Sequence, residues 1–185
     1  MTGPGSRPGR ERGASLVEFA IVGPLFLLLI FALIDLAIGV FSLNASEAAA
    51  ANAVRVGAIA RDTPDADDRI IEAFKSTGSL GIGVKVNRLV VYRPETDRDG
   101  PSAACRAGTN ETGCDVYGGS RLANPGSLCR TGGGGWCPAE RVGGELIGVW
   151  FEVEYGGLSG IIPVRWRRDG YAVARIEPDV AGVDR

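Results

Sequence analysis

The sequence predicts an α+β fold: a long N-terminal transmembrane helix continuing as a stalk, one short second helix, and a small antiparallel sheet of about three strands carrying a disulfide-bearing long loop. Three observations predict it. Ala14 to Leu43 is an almost unbroken apolar run, interrupted only by the charges of Glu18 and Asp35. Apolar residues then recur at helical spacing after Thr63-Pro64-Asp65. Further on, β-branched and aromatic residues gather in three short segments, the clearest alternating strictly from Val149 to Tyr155.

The first helix follows from length and composition. Thirty apolar residues at 1.5 Å rise make a helix of roughly 45 Å, more than the ~30 Å of a bilayer's hydrocarbon core. The alanine-rich stretch from Ser46 to Ala60 contains no breaker, so the helix is expected to run on to about Ala60. Pro24 lies inside it and predicts a kink where its hydrogen bond is lost. Ala45, Ala48 to Ala51, Ala53 and Gly57 give a slim surface that a sheet or another helix can approach closely.

Thr63-Pro64-Asp65 reads as the start of the second helix, with a hydroxyl cap and proline at the first helical position. Ala66, Ile70, Ile71 and Phe74 then mark its apolar face, and Lys75 followed by Gly78 its end. The first strand is placed at Ile82 to Tyr92, alternating through Val86 with an irregularity near Arg88. The second is centred on Val149, Phe151, Val153 and Tyr155, with Trp150, Glu152 and Glu154 opposite, so that one face is buried. The third is placed at Tyr171 to Ile176.

The organisation expected is a leader over residues 1–13, a transmembrane and assembly helix over 14–43, a helical stalk over 44–61, and an α+β domain over 62–185. A Gly-rich insertion at 94–144 holds all the cysteines. Residues 1–13 are too rich in Gly, Pro and Arg to form structure. Arg7, Arg10 and Arg12, opposed only by Glu11, keep the N-terminus cytoplasmic and place the domain outside the membrane. Cys105, Cys114, Cys129 and Cys137 therefore lie in an oxidising compartment that favours disulfides. Four cysteines allow three connectivities; short loops favour Cys105 with Cys114 and Cys129 with Cys137, but sequence alone does not fix the pairing.

Glu18 is the anomaly in the apolar run, since a carboxylate inside a membrane helix costs a few kcal/mol and marks function. The residues around it, R-G-A-S-L-V-E-F from Arg12 to Phe19, resemble the processing site of type IV pilin-like proteins. The resemblance implies cleavage by a prepilin peptidase after Gly13, with Ala14 as the new N-terminus, Glu18 fifth and Phe19 sixth after the cut. The continuation from Val17 to Leu36, with Gly23-Pro24, an aliphatic block and Asp35, is similar to the TadE-like family, the minor pilins or pseudopilins of tight-adherence pili. Asp35 stands where a glutamate is commoner. Arg168 to Pro178 also resembles the family's final strand. The resemblance implies a structural role, in which the Glu18 carboxylate neutralises the N-terminal ammonium of a packed neighbour. It also implies the membrane, a prepilin peptidase and other pilin or pseudopilin subunits as partners.

Other chemistry is narrowed by composition. The 185 residues contain no histidine, which excludes a Ser-His-Asp triad, a Cys-His pair and most zinc sites. The cysteines lack the C-x2-C spacing of a zinc knuckle. Asp97 to Gly100 is similar to a calcium loop, but its twelfth position is Gly108 rather than a bidentate glutamate. Gly132 to Gly135 lacks the Lys-Ser or Lys-Thr of a phosphate loop and reads as a flexible loop. Glu152 and Glu154 read as a solvent-facing strand edge, and Asp35 as an acid near the outer interface that reaches water. A net charge of −2 with no basic stripe argues against nucleic acid. No enzyme activity, cofactor, metal or small-molecule substrate is expected.

Two other classes remain. In one, the helix only tethers a monomeric binding or adhesion module. In the other, the apolar run is a secretory signal cut after Ala37-x-Gly39, against which its length and Asp35 both count.

Overall fold

The computed structural model describes residues 11–76, 84–122, 135–156 and 165–178, with side chains described for all of these except 11–15, 120 and 121. In chain order the elements are α1 (Glu11–Ala60), α2 (Ala66–Ser76), β1 (Val84–Tyr92), α3 (Ala103–Ala107), β2 (Cys114–Gly118), β3 (Leu146–Gly156) and β4 (Arg165–Arg175). The chain divides into two compact units, Met1–Ala37 and Ile38–Arg185. The first is the apolar part of α1. The second is the α+β domain, into which the rest of α1 is built.

The domain has the predicted class, but its antiparallel sheet has four strands, in the order β2-β1-β3-β4. The additional strand, β2, lies within the 94–144 region read as a loop. It is five residues long and borders on glycine, so its strand state comes from pairing with the free side of β1, from Arg88↔Gly118 to Tyr92↔Cys114, more than from local preference. The third predicted strand begins earlier than expected: β4 pairs with β3 from Gly156↔Arg165 to Leu146↔Arg175.

The predicted irregularity is a bulge at Asn87, where the β1–β3 register shifts between Val86 and Arg88. It changes the parity of the strand. Val84 and Val86 before the bulge share a face with Leu89 and Val91 after it, and all pack into one core. That core also takes Ile147, Val149, Phe151 and Val153 from β3, Tyr117 from β2, and Ile70, Ile71 and Phe74 from α2.

From α1 the core receives Ala49, Ala50, Ala53, Val54 and Ala58, a stripe at three- and four-residue spacing. The slim surface predicted from the alanines thus lies against the sheet and α2. Gly57 sets the approach distance, since a Cβ there would stand 2.7 Å from Ile70 Cδ1 and 3.1 Å from Ile147 Cδ1. The helix ends where Arg61 turns to φ 46°. Thr63 does not cap α2 as predicted. Its hydroxyl donates back to the Ala60 carbonyl at 2.8 Å, serving the end of α1, and α2 starts beyond Pro64, at Ala66.

The other sheet face is also partly covered, contrary to the one-faced expectation. Trp150 is only 4 % exposed, packed with Val90, Tyr92, Val116, Cys105 and Cys114. Beyond that cover, Glu152 and Glu154 face Arg167 and Arg165 across β4 in ion pairs of 3.4 to 3.7 Å.

A buried polar network ties the β2 region to α2. The Arg141 guanidinium pairs with Asp67, and the Tyr117 hydroxyl donates to the other Asp67 oxygen at 2.6 Å. Arg141 also lies over the Trp136 ring, 4.9 Å from its centroid. Asp115, fully buried, accepts the Gly135 amide at 2.5 Å. Burial raises the Asp115 pKa, opposed by its backbone hydrogen bonds from Gly135 and Trp136. Gly135 is no free loop position: a Cβ there would collide with the Glu111 and Cys114 carbonyls. Residues 132–134 lie outside the described residues.

Two outcomes follow from this packing. Gly57→Val should lower domain stability by about 1–3 kcal/mol through overpacking, read as a lower unfolding midpoint in detergent; an unchanged midpoint would contradict the close seat of α1. Asp115→Asn keeps a carbonyl acceptor for the Gly135 amide but cannot ionise. Because the folded pKa of Asp115 is raised, the stability of the parent protein is full below the unfolded carboxylate pKa of about 3.9 and falls as pH rises through the folded value. The melting-temperature difference, Asn variant minus parent, should therefore grow from pH 4 to pH 7, and a constant difference would remove the argument.

Candidate functional site

The segment of α1 from Leu16 onward presents apolar side chains on every side. Leu16, Phe19, Phe26 and Phe41 are each more than 60 % exposed, and few residues in its most apolar window are buried. A helix hydrophobic all round needs an apolar surrounding, and this one is long and apolar enough to cross a bilayer. The residues predicted to carry processing and assembly all fall on it. Gly13 and Ala14 lie in its opening turns, and Glu18 and Phe19 follow one turn later, both exposed.

Pro24 is accommodated within the helix, which continues through it. Lacking an N–H, Pro24 cannot donate to the Ala20 carbonyl. Phe19, Ala20, Gly23, Pro24, Phe26 and Leu27 line an apolar hollow of about 530 Å³. Phe19 stands against Gly23, its ring 3.6 Å from where a Cβ would be. The hollow has room for an apolar side chain. Asp35, read from the sequence as reaching water, is instead buried at 8 % exposure.

The disulfide-bearing region is a second candidate. Cys105 and Cys114 are bonded, as the short-loop argument favoured, with Cα atoms 6.4 Å apart. The bond joins α3 to the first residue of β2. Ser102 caps α3 by accepting the Cys105 amide at 3.2 Å, and Gly108 closes it at φ 107°. Cys137 is also disulfide-bonded, while Cys129 lies outside the described residues. Glu111 stands beside the Cys105–Cys114 pair, and the three side chains have the proximity of a metal-ligand set. With both sulfurs committed to one bond, neither offers a thiolate.

Sequence reasoning missed two kinds of residue. Asp67 was not singled out, yet it precedes Ile70, Ile71 and Phe74 by three, four and seven positions, which puts it on the buried face. Trp166 was missed because β4 was begun too late. It packs with Tyr155 over Gly39 of α1, where a Cβ would stand 3.1 Å from the Trp166 ring.

Among the described residues, two open clefts are lined by charged groups already engaged with each other. One, of about 480 Å³, brings Arg106, Trp150, Glu152, Arg167 and Asp169 together, with Arg167 paired to Glu152. The other is bordered by Arg93, which is paired to Glu145.

No curated protein and no solved structure matches the chain. The family model described as TadE-like protein matches residues 13–55, the first residue of the match being the glycine of the R-G-A-S-L-V-E-F motif. That match and the apolar helix fit a pilus-associated membrane protein. Over residues 13–55, within its N-terminal helix, the chain is similar to the TadE-like family.

Proposed function

We propose that the protein is a structural pseudopilin or minor pilin of a tight-adherence, type IV-like pilus system. It is inserted in the inner membrane by α1 with its N-terminus cytoplasmic and residues 62–185 outside. A prepilin peptidase cuts between Gly13 and Ala14, and the helix then packs among those of other pilin or pseudopilin subunits. The observation that carries this reading is the spacing of Gly13, Glu18 and Phe19 at the head of an exposed apolar helix.

The chemistry of assembly follows from the low dielectric. Cutting after Gly13 removes the leader's arginines and leaves an ammonium on Ala14. The Glu18 carboxylate of an adjacent subunit supplies the opposite charge. Two unit charges a few ångströms apart attract far more strongly in an apolar surrounding than in water, and an unpaired one is costly. Only a register that brings them together satisfies both. Phe19, Gly23 and Pro24 shape the apolar surface on which that register is set.

Intact mass and N-terminal sequencing of the protein from its host's membranes should show a chain beginning at Ala14. A start near Val40 would mean secretion, and an uncut terminus would favour a tether for a monomeric binding or adhesion module. Glu18→Ala should insert in the membrane as the parent does. Its incorporation into pili should fall by roughly tenfold or more, each ~1.4 kcal/mol of lost pairing being a factor of ten. Normal incorporation would remove charge pairing from the mechanism.

A further inference from the structure

The three tryptophans are not equivalent. Trp136 and Trp150 are 3 % and 4 % exposed, whereas Trp166 is 37 % exposed. Trp166 opposes Tyr155 across the β3–β4 ladder, their ring centroids 6.3 Å apart, and both rings lie on Gly39 of α1. Immediately beyond Gly39 on the helix, Val40 and Phe41 are exposed. On either side of Trp166 along β4, the side chains of Arg165 and Arg167 are 81 % and 68 % exposed.

Position along the helix gives this cluster its meaning. Gly39 stands about 35 Å of helical rise beyond Leu16, just past the ~30 Å of a hydrocarbon core. That is the headgroup level, where tryptophan and tyrosine are enriched because one side of the ring is apolar and the other meets water. Arginines beside such a ring reach lipid phosphates. The ion pairs of Arg165 and Arg167 with Glu154, at 3.4 Å, are exposed and weak enough to be shared with a headgroup. A protein neighbour would need about 20–30 residues on each side for a stable interface, and this patch is a handful of side chains.

We infer that the start of β4, Trp166 with Arg165 and Arg167 beside it, is a lipid-headgroup contact that holds the domain down on the bilayer surface before assembly. Its ligand is an anionic phospholipid surface. The inference rests on the reading of α1 as a membrane span.

The test uses the full chain in phosphatidylcholine–phosphatidylglycerol vesicles whose acyl chains carry bromine near the glycerol. Tryptophan fluorescence should be quenched in the parent protein and the quenching lost in Trp166→Phe, because the other two rings are buried. The double variant Arg165→Gln/Arg167→Gln, which keeps Trp166, should show weaker quenching. Alkaline extraction of the same vesicles separates the readings. A chain removed by alkali overturns the span and this contact with it, whereas a retained chain without Trp166-dependent quenching overturns the contact alone. Shielding of Trp166 from aqueous iodide that appears only at high protein density would assign the patch to another subunit and also overturn the proposal.

Discussion

The close approach of α1 to the sheet is the constraint on which the domain rests. A helix carrying large side chains would stand off from the strands, but Ala49, Ala50, Ala53 and Gly57 let the backbone come down onto Ile70 and Ile147. The apolar area is supplied from the other side, by the branched and aromatic residues of β1 and β3. The same helix therefore follows two rules along its length. Its first part is bulky and apolar all round, suited to a surrounding of lipid or other helices, and its last part is small on one stripe, suited to one fixed partner.

The opposite face of the sheet is held by different means. There the α3–β2 region has little apolar mass and is fastened by the Cys105–Cys114 bond, while on the core face the Asp67–Tyr117–Arg141 network holds β2 and its flanking segment against α2. A buried ion pair is a poor source of net stability, yet removing one partner leaves a charge stranded at a cost of about 3–5 kcal/mol. The network thus acts mainly as a specification of which loop lies against α2. Gly135 completes it by letting one backbone segment run against another.

How much of this was legible follows from the kind of signal each element leaves. The end of α1 at Ala60, the apolar face of α2, the bulge near Arg88 and the alternation of β3 left local signals, and the fold contains each of them, whereas α1 begins at Glu11, inside the segment expected to form no structure. β2 has no such signal, because Cys114–Gly118 becomes a strand only through its neighbour. The early half of β4 precedes the strand expected at Tyr171 to Ile176, because its charges, Arg165, Arg167, Arg168 and Asp169, leave no apolar alternation to mark it. Thr63 and Pro64 offered a familiar helix start, but the end of α1 claimed the hydroxyl first. On the helix, the motif from Gly13 to Phe19 was legible as chemistry, whereas the aromatic cluster on Gly39 required strand register to be known.

The charges of β4 also bear on how copies of this chain meet. A sheet edge is an open row of backbone donors and acceptors, able to recruit any strand that passes and so to seed aggregates. Among the described residues β4 is such an edge, eleven residues long, and its first half is dense with arginine, which a second identical strand would have to bring alongside itself. Crowded subunits are thereby discouraged from sheet-to-sheet pairing. In the proposed assembly, self-association would be left to the apolar helix, so that the route leading to ordered polymer would be kept separate from the route leading to precipitate.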